Sequence, residues 1–347
     1  MISRRLRGIT PYVPGEQPTE GRYIKLNTNE NPYPPSPRIA ELLATYDIET
    51  LRRYPDPTFT ALRRAVADHH ALGPECVFAG NGSDEVLSFA FFSFFDRSVA
   101  FPDPSYSFYP VYCDFYAIES QPIPLDESLE VDLAAFAAVA ADGIAIANPN
   151  SPTGTYLDRR QIESIVSSAG PDRVVVVDEA YIEFGGESCV PLIDKFDNLL
   201  VVQTFSKSAS LAGLRLGVAL GCEELISSLF RAKDAFNSYP VHDLAQRIGV
   251  VALEEWNHTR ASCDRIITTR ERVSSSLASM GFRVLPSKAN FLFASHGRLR
   301  GGELYRTLRE RGILVRYFDS PRLTDFVRVT MGTDDEMDSF LEEASSA

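Results

Sequence analysis

From about residue 76 the chain alternates short, continuously apolar runs with amphipathic stretches. CVFAG (76–80) precedes SDEVLSFAFFSFF (83–95), SVAFP (98–102) precedes PSYSFYPVYCDF (104–115), and GIAIANP (143–149) precedes DRRQIESIVSSA (158–169). RVVVVDE (173–179) and NLLVVQTFSK (198–207) complete the series. Runs with no polar alternation read as strands covered on both faces, and the strand–helix–strand order predicts an open, mostly parallel, doubly wound sheet. Upstream, RIAELLATY (38–46) and FTALRRAVADHHA (59–71) have helical spacing, separated by the loop RRYPDP. Residues 1–37 are rich in proline and polar groups, end in NENPYPPSP, and read as an extended arm that forms no packed element.

After about residue 240 the pattern changes. A long helical stretch, from LAQRIGVVALEEW through TRERVSSSLASMG, leads to separated strands at FRVLPS, ANFLFAS, GILVRYF and FVRVTMG. Helices flank them at GGELYRTLRERG and DEMDSFLEEA. The expected organisation is an arm (1–37), a large α/β domain (38–240) and a smaller α+β domain (241–347). The length of 347 residues exceeds the roughly 250–300 at which single cores stop growing, which also favours two lobes.

Charge narrows the range of partners. A formal net charge of −13 opposes nucleic acid and anionic membranes, although arginines in a cleft can still reverse the field for a small anion. VLSFAFFSFF (86–95) is too short to span a bilayer and reads as a buried helix. The basic N-terminus lacks the apolar run of a secretory signal. Five scattered cysteines form no CxxC pair, so neither a disulfide framework nor a zinc site is expected, and no histidine has metal-ligand spacing. The expected location is the cytoplasm.

The chemistry gathers where the apolar runs end, and in open parallel sheets ligands sit beyond the carboxyl ends of the strands. GNGSDE (80–85) lies between a strand and a helix, where small residues and free N–H groups suit an anion; a plain glycine turn with Ser83 or Asp84 as helix cap has the same pattern. Asp178 sits where RVVVVDE emerges. It either caps a turn or keeps the ring nitrogen of a pyridine-type cofactor protonated, with Tyr181 near enough to meet the ring's phenolic oxygen. Lys207 lies between an apolar strand and the small-residue run SLAGLRLG (210–217), which points to enclosure. Enclosure beside a cation frees a lysine amine to attack an aldehyde. Thr204 and Ser206 could share a phosphate with the fork of Arg215.

Taken in order, NPNSPTG (148–154), DEAY (178–181) and SKSASLAGLR (206–215) resemble the fold-type I aminotransferases, which use pyridoxal 5′-phosphate (PLP). Within that group, LNTNENPY, RYPDP, GNGSDE, GILVR and FVRVTMGT are similar to the histidinol-phosphate aminotransferases, and the likeness runs from about residue 24 to the end. The resemblance implies Lys207 as the Schiff-base lysine and proton shuttle, Asp178 on the pyridine nitrogen and Tyr181 on the phenolic oxygen. It implies Gly82, Ser83, Asp84, Thr204, Ser206 and Arg215 around the cofactor phosphate, and Tyr106 stacked on the ring. Tyr54 would reach the phosphate of a neighbouring subunit, which implies a homodimer with shared sites. Arg316 and Arg328, with Asn29, would bind a phosphorylated amine, and a keto acid would receive the amino group. One departure stands out. The family pattern is NNPTG, and here Ser151 occupies the second asparagine position, so either Ser151 or Asn150 meets the phenolic oxygen. The implied reaction is exchange between histidinol phosphate and 2-oxoglutarate in histidine biosynthesis. An aromatic amino-acid aminotransferase and a threonine-phosphate decarboxylase share the scaffold. A non-catalytic PLP-binding regulator would need an added DNA-binding domain, which the short arm does not supply.

Overall fold

The computed structural model describes residues 2–18 and 21–346. The N-terminal segment holds a helical turn, α1 (Arg4–Arg7), and a two-residue strand, β1 (Ile24–Lys25). Helices α2 (Pro37–Thr45) and α3 (Thr60–His70) lead into β2 (Val77–Gly80), α4 (Ser83–Phe94), β3 (Ser98–Asp103), α5 (Phe108–Tyr116) and β4 (Glu119–Pro124). Then come α6 (Leu133–Ala138), β5 (Gly143–Ala147), α7 (Arg159–Ala169), β6 (Val175–Asp178), β7 (Leu199–Thr204) and β8 (Gly217–Leu220). The remainder is α8 (Glu223–Phe236), α9 (Asp243–Glu254), α10 (Trp256–Ser279), β9 (Phe282–Val284), β10 (Phe291–His296), α11 (Gly301–Glu310), β11 (Ile313–Leu314), β12 (Arg316–Tyr317), β13 (Phe326–Thr330) and α12 (Asp334–Ser345).

Seven strands form the large sheet in the order β2-β8-β7-β6-β5-β3-β4. All run parallel except β8, which is antiparallel to both neighbours. Every residue of β5 and β6 is buried, as the unbroken apolar runs require of a sheet covered on both faces. The direction of each strand determines what the sheet edge carries. Strands β2, β3, β5, β6 and β7 end at one edge, while β8 begins there, so the loops after five strands and the loop before a sixth converge. Local chemistry fixes where the helices start. Asp158 and Gln161 close a capping box on α7, and Ser36 caps α2 with Pro37 in its first turn.

The smaller lobe is an antiparallel sheet, β12-β13-β10-β9, covered by α10, α11 and α12. Its core includes Phe291, Val329, Leu304, Ile266 and Phe340, and a third cluster around Leu125, Leu285 and Phe293 joins the two lobes. No helix among the described residues is long and apolar enough to cross a membrane.

Three expectations need correction. The arm is packed from residue 24 onward: β1 pairs in parallel with β11, and Leu26 and Tyr33 enter the small-lobe core. Its prolines end regular structure but leave apolar side chains that the small lobe buries. The large lobe also extends beyond residue 240, because Ala245, Ile248, Val251 and Ala252 of α9 join the core of the large sheet. The long helical stretch is therefore two helices, broken at Glu255, where the backbone leaves helical geometry (φ −97°, ψ 28°).

Candidate active site

The convergent loops line a cleft with about 170 Å³ of room. Asn29, Ser83, Asp84, Tyr106, Ser151, Asp178, Tyr181, Thr204, Ser206, Lys207, Arg215, Arg316 and Arg328 all face it. The structure brings these expected site residues together from five strand ends and both lobes.

One end is an anion cup. The first helical bond of α4 runs from the Val86 N–H to the Gly82 carbonyl, which leaves the N–H groups of Ser83, Asp84 and Glu85 outside the helical ladder, and Ser83 and Asp84 line the cleft. Gly82 has φ +87°, and a Cβ there would come within 2.6 Å of the Arg215 guanidinium. Behind it, a Cβ on Gly217 would lie 2.4 Å from the Ser83 nitrogen, so the start of β8 must be glycine for the helix to approach. Thr204 Oγ1 donates to Ser206 Oγ (3.0 Å), and both residues line the cleft together with Arg215. Asp84 needs correction as an anion ligand. Its carboxylate accepts from Tyr106 (2.6 Å) and from Arg215 (3.0 Å), so only its backbone N–H can serve an anion.

The middle of the cleft holds Asp178, Tyr181 and Lys207. Asp178 ends β6, is 5% exposed, and accepts a bond from the Ala180 N–H (3.1 Å). Burial, with the nearby charges of Asp84 and Glu179, pushes its carboxyl up to about 7. Among the described residues no cation pairs with it. Tyr181 accepts from Asn29 Nδ2 (2.9 Å) and keeps its own O–H free to donate. Asn29 is held in turn by Thr330 Oγ1 (3.0 Å). Lys207 Nζ has the Thr28 carbonyl at 3.3 Å and lies 5.9 Å from the centre of the Tyr181 ring.

The far end is basic. Arg316 and Arg328 are directly opposed across the β12–β13 pair. Like charges in that position repel, and neither has a carboxylate partner among the described residues. Arg328 donates to Ser151 Oγ (3.0 Å) and to the Asn27 carbonyl (3.1 Å), while its Nε is buried without a partner. Arg316 donates to the carbonyls of Val13 and Pro14.

Two expected residues lie elsewhere. Asn150 is turned away from the cleft, with its amide spent on the Pro104 carbonyl, Thr153 and Ser105, so of the two alternatives only Ser151 faces the site. Tyr54 is 80% exposed and stacks on Tyr239 outside the cleft of its own chain. Sequence reasoning missed Tyr12 and Phe318, both cleft-lining. Tyr12 sits in an irregular arm with no periodicity, and nothing local signals its approach to Phe108, 4.7 Å between ring centres.

Residues 22–343 match the family model for aminotransferase class I and II. The chain is 53% identical over 99% of its length to a histidinol-phosphate aminotransferase from Syntrophus aciditrophicus, of which it covers 97%. The chain belongs to the histidinol-phosphate aminotransferase family. A second member of that family, from Chromohalobacter salexigens, is 52% identical, with 98% of this chain and 97% of that protein covered. In structure, a histidinol-phosphate aminotransferase from Sinorhizobium meliloti solved with pyridoxal 5′-phosphate aligns with a TM-score of 0.81 at 23% identity. That alignment covers 93% of this chain and 89% of the other, and shows the shared fold.

The residues present fit the cofactor of this aminotransferase family. The cup of N–H groups, hydroxyls and Arg215 suits a phosphate. A buried carboxylate with no cation beside it suits a ring nitrogen that must stay protonated.

Proposed function

We propose that this protein is a PLP-dependent enzyme of the cytoplasm that moves an amino group between histidinol phosphate and 2-oxoglutarate. When bound, the cofactor supplies an aldehyde that captures amines and a protonated ring that withdraws electrons. The α4 N-terminus, Ser83, Thr204, Ser206 and Arg215 would hold its phosphate, and Tyr106 would pack on its ring. Asp178 would hold the proton on the ring nitrogen, its high-lying carboxyl relaxing to the ionised form once a cation is beside it. Tyr181 would donate to the phenolic oxygen, with its own oxygen held by the Asn29 amide. Lys207 Nζ would anchor the cofactor through its aldehyde and, when free, would take the proton from the substrate's amino-bearing carbon.

The observation that carries the substrate reading is the opposed pair Arg316 and Arg328, with the Arg328 Nε buried and unpartnered and no carboxylate paired with either among the described residues. Two guanidinium forks suit a phosphate dianion better than a single carboxylate. Among the described residues, the hydrogen bonds of the Arg316 guanidinium go to the arm carbonyls of Val13 and Pro14, which an incoming phosphate can replace. Exposed Tyr54, with Ile48, Leu51, Phe236 and Tyr239 also exposed, supports a homodimer in which Tyr54 reaches the neighbour's cofactor phosphate.

Steady-state kinetics of Arg328→Lys test the reading. We expect kcat/KM for histidinol phosphate to fall by about 10- to 100-fold, with little change for unphosphorylated histidinol. Equal losses on both amines would contradict it.

A further inference from the structure

Lys233 is 1% exposed, yet it has no place in the cleft. Its three N–H donors are spent on the Pro57 carbonyl (3.2 Å), the Ser238 carbonyl (3.0 Å) and Asp234 (2.5 Å). The rings of Phe59 and Phe230 flank the ammonium, each 5.7 Å away. Gln246, 7% exposed, repeats the pattern, with its Nε2 donating to the Asp56 carbonyl (3.0 Å) and the Val241 carbonyl (2.9 Å). Two buried side chains thus bridge the same two loops, 54–59 and 237–241.

The first loop is fixed further. Phe59 is fully buried with φ +55°, a conformation bulky residues rarely adopt. The Asp56 carboxylate accepts from the N–H groups of Thr58 (2.9 Å) and Thr60 (2.8 Å). At the tip of this rigid assembly the rings of Tyr54 and Tyr239 stack at 4.4 Å, one from each loop, both open to solvent. Desolvating an ammonium is costly, and strain of this kind persists where surrounding structure over-determines it, often at functional sites. Among the exposed residues of the two loops, Tyr54 and Tyr239 are the aromatic ones, and this arrangement fixes how they are presented.

We propose that Lys233 and Gln246 form a buried staple that sets the position of Tyr54, making both of them positioning residues for cofactor binding in the neighbouring subunit. The inference rests on the reading that Tyr54 reaches the neighbour's cofactor phosphate. Lys233 supplies the charge-assisted bonds and Gln246 the second bridge, so neither touches the cofactor.

The test is PLP titration of the full-length, cofactor-free dimer, followed by absorbance, for wild type, Tyr54→Phe, Lys233→Met, Gln246→Met and each staple variant combined with Tyr54→Phe. The staple variants should raise the dissociation constant by about five- to tenfold, as Tyr54→Phe does, and the combinations should be no worse than Tyr54→Phe alone. Hydrogen exchange should quicken in both loops while β6 and β7 stay protected. A staple variant that lowers the melting temperature but binds PLP as wild type does, or whose loss multiplies with that of Tyr54→Phe, overturns the positioning role and leaves the shared-site reading intact. If Tyr54→Phe itself binds PLP normally, the shared-site reading falls and the staple's role falls with it. Should Lys233→Met fail to fold, Gln246→Met carries the same comparison, since it keeps side-chain volume and removes only the bridging donor.

Discussion

Asp178 carries a burial cost that a cation placed beside it would relieve. In the ligand-free protein its carboxyl lies near 7, and burial is the main cause, whereas in an unfolded chain it titrates near 4. Between those values the native state holds a proton that the unfolded state has lost, so stability falls as pH rises from about 4 to about 7. Glu183, also pushed up to about 7 by burial, adds a decline of the same sign. For Asp178 the loss is on the order of 4 kcal/mol. Urea denaturation of cofactor-free Asp178→Asn should show a shallower decline and, at pH 8, greater stability than wild type, together with weaker PLP binding. Parallel stability curves would contradict the assignment. Lys207→Ala should abolish turnover while leaving the fold intact, and normal rates in that variant would remove the mechanism. These residues were legible because each stands at the end of an apolar run with little other reason for a charge. Asn150 against Ser151 was not legible, since which side chain faces the cleft depends on Ser105 and Pro104, brought in by a different strand.

At the scale of elements, the buried parallel strands announced themselves by composition, whereas the edge strand β4 and the antiparallel β8 did not. ESQPIP in β4 lies at the sheet edge with mostly exposed or half-buried positions, so it lacks the apolar signature of its neighbours. The four residues of β8 follow directly on the Arg215 loop and read as part of its small-residue run. That strand nonetheless sets the anion cup, through Gly217 against the backbone of Ser83. Gly217→Ala should therefore push α4 away from β8. We expect about 1–3 kcal/mol of lost stability in urea and weaker PLP binding, both checked on the same preparation. The packing of residues 24–33 into the small lobe was equally hidden, because β1 has only two residues and its partner is almost 290 positions away in sequence.

For the whole molecule, two lobes and a sheet edge were readable from pattern and length, but the exact division was not. Helix α9 has the spacing of any amphipathic helix, and only its contacts with α2 and α3 assign it to the large lobe. The assembly has its own test. Lys207→Ala and Tyr54→Phe subunits, unfolded together and refolded as mixed dimers, should recover activity above either parent, because each mixed dimer contains one site with both native residues. No gain on mixing would contradict shared sites.

The most direct test of the central claim is an absorbance titration of the PLP-loaded protein with histidinol phosphate, alongside phenylalanine and unphosphorylated histidinol. Histidinol phosphate should convert the cofactor to its pyridoxamine form at concentrations where the other two amines leave the spectrum unchanged. Conversion by phenylalanine as readily as by histidinol phosphate would contradict the role given to Arg316 and Arg328, and a protein that takes up no PLP would contradict the account as a whole.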